Sequence, residues 1–299
     1  MEFKAKLKEY QNLINNELKK YTRTHECYEK ILNDSMEYSL MAGGKRLRPI
    51  LVIDTYKLFK RDIETCMPFA IALETIHNFS LIHDDLPEID NDDFRHGKPT
   101  NHKQFNHATA LLAGDALFNQ AYIIISNEIR KAAECTDYTD FKNKARAFNE
   151  FSMAVDRMIA GEYLDTELEN KEISKELLQY IHENKTGALL KLSVRMGAIL
   201  ADAPQHDIER LSCFAEKIGL AFQIKDDILS EEGNEEIMGK PVGNDKEHNK
   251  CTYVSFYGLD GAKEELDKVV NDAIRYLESY GKEADFLRDL ANYIKNRDK

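Results

Sequence analysis

Two pairs of adjacent aspartates could bind a metal ion. The first pair, Asp84 and Asp85, lies in residues 81–93 (LIHDDLPEIDNDD), where six of the thirteen side chains are acidic. Carboxylates this close repel one another unless solvent or a cation screens them. Magnesium prefers oxygen ligands and keeps waters and phosphate oxygens in its shell. The stretch therefore predicts either a solvated acidic loop or a site where Asp84, Asp85 and Asp90 hold magnesium against a diphosphate.

The pair His83-Asp84 also resembles the metal pair of HD-type phosphohydrolases. Those enzymes need further histidines at suitable spacing on other helices, and the sequence offers no good set. The oxygen-only interpretation is therefore the better one.

The second pair, Asp226 and Asp227, lies in a segment whose apolar residues recur at helical spacing, 211–229. Gln223 precedes Asp226 by three positions, so the two side chains share a helix face. Two carboxylates on an otherwise apolar helix are costly unless they meet a cation. One such pair is more often structural, but two pairs on two long helices predict a magnesium-lined cavity for phosphates.

Basic residues beside glycines could bind those phosphates. Glycine lets the backbone approach a ligand closely, and the arginine fork matches phosphate oxygens. Each segment alone is also consistent with an ordinary basic loop, but together, in an acidic protein, they indicate two anionic substrates. The segments are 43–49 (GGKRLRP), 94–100 (FRHGKPT), 185–187 (KTG) and 239–243 (GKPVG).

Long helices must position these groups. The chain has six prolines and none between Thr100 and Ala203, and apolar residues recur there every three or four positions. Strand signals are weak, and no linker or short repeat divides the chain. We expect one all-α domain over residues 1–299. The predicted helices are 2–20, 25–42, 47–59, 67–86, 105–133, 140–169, 174–201, 206–230, 260–280 and 284–297.

Composition excludes several classes of protein. The formal net charge of −12 disfavours nucleic acid and anionic membranes as partners. No apolar run approaches the roughly 20 residues of a membrane span, and the N-terminus lacks the apolar stretch of a signal peptide. The five cysteines are scattered, which is typical of reduced thiols and predicts a cytoplasmic protein.

Six stretches carry a family resemblance when read in order. They are GGKRLRP (43–49), ETIHNFSLIHDDLPEIDNDDFRHGKPTNH (74–102), LLAGDALF (111–118), KTGAL (185–189), GLAFQIKDDIL (219–229) and GKPVGND (239–245). The chain resembles the trans-isoprenyl diphosphate synthase (polyprenyl synthetase) family, and within it the bacterial farnesyl diphosphate synthases. The resemblance implies an all-α fold with a deep central cavity, a homodimer, and three magnesium ions, for which manganese can substitute.

The resemblance also implies the metal ligands. Asp84 and Asp90 would ligate two magnesium ions with support from Asp85. Asp226 would ligate the third, with Asp227 behind it.

The remaining implied site residues contact the substrates, an allylic diphosphate and isopentenyl diphosphate. Expected at the allylic diphosphate are Arg95, Lys185 and Lys240. Expected at isopentenyl diphosphate are Lys45, Arg48 and His77, with His96 in place of a usual second arginine. Thr186 and Gln223 would direct oxygen dipoles at a carbocation.

The implied reaction is ionisation, condensation and elimination, in which isopentenyl diphosphate is joined to dimethylallyl or geranyl diphosphate. Phe79 and Ser80 precede the first aspartate pair, where the family sets the floor of its product cavity. A phenylalanine there favours the C15 product, farnesyl diphosphate, over C20 or C10; the alternative is that Phe79 only packs the core. A class I terpene cyclase is a weaker alternative, because it would not need GGKRLRP or His77.

Three positions depart from the family pattern. Ser230 replaces a third aspartate after Asp226, His96 replaces an arginine, and Glu162 replaces the usual glutamine before Asp165. These changes put metal affinity and KM in question more than the reaction class. They keep open a weakly active or non-catalytic subunit that retains the fold.

Overall fold

The computed structural model is dominated by helices, which confirms the all-α prediction. Among the described residues the strands are a two-residue antiparallel pair, Phe94–Arg95 (β1) with Lys98–Pro99 (β2). The predicted ligand Lys240, together with Cys27 and Cys251, lies outside the described residues. The structure describes residues 2–21, 28–135, 137–169, 171–232 and 252–297.

Contacts between residues divide the chain into two compact units, and the first comprises Met1–Ile53 and Glu64–Ala145. Its helices are listed here in chain order, and the last part of α3 belongs to the second unit. They are α1 (Glu2–Lys20), α2 (Lys30–Leu40), α3 (Leu47–Lys57), α4 (Met67–Asp84), α5 (Asn101–Gln104) and α6 (His107–Ala133).

The core of the first unit forms where α4 packs against α6. Pro68 lies in the first turn of α4, where a proline loses no helical hydrogen bond. Phe69 and Ile76 of α4 and Leu117 of α6 are completely buried. A Cβ atom at Gly114 of α6 would lie 2.1 Å from Nε2 of His83, so glycine is what allows this close approach.

The second unit comprises Asp54–Ile63 and Arg146–Lys299. Its longest helix after α7 is α10, which contacts α9, α11 and α12. The elements are α7 (Tyr138–Glu167, whose first residues belong to the first unit), α8 (Lys175–His182), a π-helical turn (Glu183–Gly187), α9 (Ala188–Leu200), α10 (Gln205–Glu232), α11 (Tyr253–Arg275), a 3₁₀ helix (Glu278–Ala284) and α12 (Asp285–Asn296). The prediction of one domain over 1–299 stays a prediction.

Two predicted helices differ from those observed. The expected helix 174–201 is interrupted by the π-helical turn, Glu183–Gly187. The helix expected from residue 260 begins at Tyr253, where Thr252 and Ser255 form a capping box. Gly258 bends this helix with φ 69° and ψ 167°, which is why its first turn does not follow the periodicity of the rest.

One helix, α6, is long and apolar enough to cross a membrane by length and composition. From the sequence, no apolar run of that length was expected. Several α6 side chains lie in the core of the first unit, and a core helix of a soluble protein meets the same criterion.

Candidate active site

The first aspartate cluster lies where α4 ends. Asp84 is the last residue of α4, and Asp85 is its C-terminal cap. The loop then turns back, so that the backbone N–H of Asp90 donates to the carbonyl of Asp84 at 2.9 Å. Asp90 is exposed and Asp84 partly exposed. The fold therefore brings together the two residues expected to ligate metal.

Asp85 has a different environment from its neighbours. Its carboxylate is buried and accepts three hydrogen bonds from the Arg95 guanidinium, at 2.8, 2.8 and 2.6 Å. Charge-assisted pairs of this kind fix both partners in orientation. Asp85 thus fixes the orientation of Arg95, which lies on the short β1 strand directly after the acidic loop.

The side chain of Arg46 holds the glycine-rich loop 43–49 in place. Gly43, Gly44 and Arg46 adopt positive φ values of 109°, 115° and 54°. The Arg46 guanidinium is buried, pairs with Glu74 at 2.7 Å and donates to the carbonyl of Leu40. Because breaking a buried pair leaves an uncompensated charge, Arg46 and Glu74 fix the loop that carries Lys45 and Arg48.

Cations surround His77 of α4. Burial, followed by the positive charges of Arg48, Arg95 and Arg46, holds the pKa of His77 well below its usual value. The Nε atom of Arg48 is buried and has no hydrogen-bond partner among the described residues. Buried donors normally have partners, so this donor and the surrounding positive charge are suited to an anion.

His96 joins this group through a tight turn. His96 and Gly97 connect β1 to β2 with φ 53° and 74°. A Cβ atom at Gly44 would lie 3.6 Å from Nε2 of His96, so the imidazole lies against the glycine-rich loop. The first unit therefore gathers Lys45, the other predicted isopentenyl diphosphate ligands and the first acidic cluster around one end of α4.

Aromatic rings form a row beside the acidic loop. The Phe79 ring lies 4.9 Å from the His83 ring and 5.1 Å from that of Phe118 on α6. The Phe118 ring is in turn 5.0 Å from that of Tyr122. The neighbouring Ser80 hydroxyl donates to the carbonyl of His77 at 3.0 Å. Phe118 and Tyr122 were not among the predicted site residues, although their spacing of four along a helix signals a shared face.

The second aspartate pair occupies the last turns of α10. The Asp226 carboxylate pairs with Arg297 at 2.5 Å, and Arg297 also donates to the carbonyl of Phe222 and lies 4.1 Å from its ring centroid. Asp227 is buried and accepts the backbone N–H of Tyr253 at 2.6 Å. Asp227 thus anchors the start of α11, and Asp226, which is partly exposed, is the member of the pair that a metal can reach.

Lys185 and Thr186 lie on the π-helical turn between α8 and α9. The Lys185 ammonium contacts Glu162 at 3.0 Å and Asp165 at 2.6 Å, both on α7. A Cβ atom at Gly161 would lie only 2.3 Å from the backbone nitrogen of Lys185. Glycine on α7 therefore lets the two segments approach closely. Gln223 and Ser230 lie on α10, each partly buried.

The available oxygen donors suit a hard divalent cation. Among the described residues, no group of three or more His, Cys, Asp or Glu side chains is arranged to hold a metal ion. Magnesium needs no such cage, because it binds through one or two carboxylates and completes its shell with waters and substrate phosphates. Asp84 with Asp90, and Asp226, provide that number of carboxylates.

Known proteins resemble this chain over most of its length. The family model of polyprenyl synthetase matches residues 29–291. Farnesyl diphosphate synthase from Bacillus subtilis (strain 168) is 43% identical, over 95% of this chain and 95% of the relative. Geranylgeranyl diphosphate synthase from Cyanophora paradoxa is 40% identical, over 88% and 87%.

A solved structure gives the same result. The apo FPP/GFPP synthase from Zymomonas mobilis superposes with a TM-score of 0.85 at 34% identity, over 98% of this chain and 99% of that one. The chain belongs to the polyprenyl synthetase family.

Proposed function

We propose that this protein is a farnesyl diphosphate synthase, which condenses isopentenyl diphosphate with dimethylallyl or geranyl diphosphate. The observation that carries the proposal is the end of α4, where exposed aspartates adjoin a group of cations. Asp84 and Asp90 offer oxygens to a metal, while Arg48, Arg95 and His77 offer donors to phosphate. The 43% identity to the Bacillus subtilis farnesyl diphosphate synthase supports the same substrates.

The aspartates hold three magnesium ions in this proposal, with manganese as a substitute. Asp84 and Asp90 ligate two ions and Asp226 the third, while Asp85 and Asp227 support them from buried positions. Bound magnesium supplies positive charge that stabilises the diphosphate as it leaves. Asp226 pairs with Arg297 in this structure and would hold the ion in place of that contact.

Different basic residues bind the two substrates in this proposal. Lys45, Arg48, His77 and His96 bind isopentenyl diphosphate. Because the low pKa of His77 keeps its imidazole neutral, this residue acts as a hydrogen-bonding group and not as a charge. The allylic diphosphate is bound by Arg95, Lys185 and Lys240.

The reaction begins when the allylic carbon–oxygen bond breaks and its electrons leave with the diphosphate. The double bond of isopentenyl diphosphate attacks the resulting carbocation, and a new carbon–carbon bond forms. A proton then passes to the departed diphosphate, so no protein base is required. Thr186 and Gln223 direct oxygen dipoles at the cation, and preorganised groups of this kind lower the barrier without reorganisation.

Aromatic side chains set the product length. Phe79, backed by Phe118 and Tyr122, ends the cavity after a C15 chain. The same rings exclude water, which would quench the carbocation. A C20 product is the second candidate, because geranylgeranyl diphosphate synthases are among the relatives of similar identity. A C10 product, which would need a still shorter cavity, is the third.

The remaining features of the proposal are those of the family. The protein is a soluble, cytoplasmic homodimer in which residues 1–299 form one catalytic domain. Analytical ultracentrifugation tests the dimer, for which we expect about twice the 34.5 kDa mass of one chain.

One assay tests the function. The full chain is incubated with geranyl and isopentenyl diphosphates and magnesium, and the products are treated with phosphatase and separated by chromatography. We expect farnesol. Geranylgeraniol as the main product would assign the C20 activity, and diphosphate release without elongation would overturn the proposal.

A further inference from the structure

The first helix, α1, packs one of its faces into the core of the first unit. The buried side chains on that face recur at spacings of three and four, and they are Leu7, Tyr10, Ile14 and Leu18. Gln11 and Asn15 each follow a buried residue by one position and lie four residues apart, so they share a face at the border of the core. Both side chains are partly buried, and from there they can reach a neighbouring segment.

These two side chains contact the glycine-rich loop 43–49. The side-chain amide of Gln11 donates a hydrogen bond to the carbonyl of Lys45 at 3.3 Å. The side-chain oxygen of Asn15 accepts a hydrogen bond from Nε of Arg46 at 3.0 Å. Helix α1 thus binds the loop at two consecutive residues, once through the backbone and once through a side chain.

The Arg46 guanidinium connects the loop to three helices. Besides Asn15 of α1, it donates to the carbonyl of Leu40 at the end of α2 and pairs with Glu74 of α4 at 2.7 Å. The side chain is buried, and each of its three nitrogens donates to a different helix. Because the guanidinium is planar and presents its donors in fixed directions, three such bonds define both the position and the orientation of Arg46.

The backbone of Arg46 determines where α3 begins. Its φ of 54° lies in a region that residues other than glycine rarely adopt, and such a conformation persists only where surrounding contacts fix it. The carbonyl of Arg46 accepts a hydrogen bond from the backbone N–H of Ile50 at 3.2 Å. Arg48 lies in the first turn of α3, so a displacement of Arg46 would also displace Arg48.

We propose that Gln11 and Asn15 are positioning residues for isopentenyl diphosphate, and that they act through the loop that carries Lys45 and Arg48. Each of them fixes one residue of the loop, so that both cations are placed for the same diphosphate group before it binds. Preorganised donors bind more tightly because binding does not have to order them. The identity of the ligand rests on the proposed function.

Asn15→Ala tests the proposal, because it removes one acceptor of Arg46 and keeps the contacts with Leu40 and Glu74. KM for isopentenyl diphosphate should rise by about tenfold, as expected for one lost hydrogen bond to a charged group. KM for geranyl diphosphate should stay unchanged. Asn15→Asp again offers an acceptor to Nε of Arg46, so it should restore KM for isopentenyl diphosphate.

Gln11→Ala removes the contact with the Lys45 carbonyl and should have a smaller effect. We expect KM for isopentenyl diphosphate to rise by about threefold, because the lost hydrogen bond is longer and joins two neutral groups. Asn16→Ala is the matched control for Asn15→Ala. Asn16 is the same type of residue at the next position of α1, but it is exposed, so both KM values should equal those of the wild type.

Isothermal titration of the full chain with isopentenyl diphosphate alone measures the same effect without turnover. The Kd should be about tenfold higher in Asn15→Ala than in the wild type. The role of α1 is overturned if Asn15→Ala leaves KM and Kd unchanged, if it raises the KM of both substrates equally, if Asn16→Ala has the same effect, or if Asn15→Asp does not restore KM.

The titration also separates this inference from the proposed function. A wild type that binds isopentenyl diphosphate but does not elongate geranyl diphosphate would remove the proposed function, and the comparison of Kd values would still decide the role of Gln11 and Asn15. A wild type that does not bind isopentenyl diphosphate would overturn both.

Discussion

Replacement of Gly161 by alanine should impair catalysis through a displacement that the structure defines. The new Cβ atom would lie 2.3 Å from the Lys185 nitrogen and 2.8 Å from both the Lys185 Cα and the Asn184 carbonyl carbon. These are backbone atoms and cannot rotate away. To reach the 3.4 Å of an ordinary contact, α7 and the π-helical turn must separate by about 1 Å.

The magnitude follows from that distance. A misplacement of about 1 Å at a catalytic group costs on the order of 100-fold in rate, so we expect kcat to fall by that order. Overpacking also costs about 1–3 kcal/mol of stability, offset by up to about 1 kcal/mol because alanine favours helix. Steady-state kinetics with geranyl and isopentenyl diphosphates measure the first effect, and thermal unfolding the second.

Gly261→Ala is the control for this experiment. Gly261 lies on α11, and the contact within 4 Å that its added Cβ atom would make among the described residues is with the Cβ of Tyr257, at 3.3 Å. We expect wild-type kcat and equal or slightly greater stability. If Gly161→Ala retained wild-type kcat while folded, the reasoning that Lys185 acts from a fixed position would be refuted.

Three further predictions concern other parts of the site. Phe79→Ala removes a ring close in size to one isoprenyl unit, so the main product should lengthen to C20. The variant should also lose about 3 kcal/mol of stability. Unchanged C15 output by chromatography would show that Phe79 does not form the floor of the product cavity. Arg297→Gln removes the guanidinium that pairs with Asp226, so the free energy of unfolding in EDTA should fall by about 2 kcal/mol. An unchanged denaturation midpoint would contradict a stabilising Asp226–Arg297 pair. Desolvation and the nearby arginines lower the pKa of His77, so the unfolded state binds its proton more readily, and stability present above pH 6.5 should be lost below it. The free energy of unfolding should change with pH by at most about 1.4 kcal/mol per pH unit, and this dependence should be weaker in His77→Gln. If the two proteins showed the same change in stability between pH 7.5 and 5, the prediction for His77 would be wrong.

Features that depend on local sequence were predictable. The period of apolar residues predicted most helices, and the predicted end of α4 at residue 86 lies two residues from the observed end at Asp84. Adjacent aspartates and glycine-flanked cations direct attention to the ends of α4 and α10, and the chemical role of these two regions stays a prediction. Each of these signals lies within one or two helical turns of the residue it describes.

Features that depend on distant partners were not predictable. Arg46 looked like another phosphate ligand, but its partner Glu74 lies 28 positions away and buries it. Asp226 finds Arg297 at a separation of 71 residues, and Asp227 finds the backbone of Tyr253 at 26. Spacing along the chain carries no information about such pairs, since they arise from how helices pack.

The central claim is that the aspartates at the end of α4 bind magnesium and make this protein a C15 prenyltransferase. The most direct measurement compares the wild type with Asp90→Asn for farnesyl diphosphate formed from geranyl and isopentenyl diphosphates across a magnesium titration. We predict that the wild type makes the C15 product only with magnesium. The variant should need at least about tenfold more metal, because the loss of one carboxylate ligand weakens an ion that few protein groups hold. Equal magnesium dependence in both proteins, or elongation by the wild type in EDTA, would contradict the account.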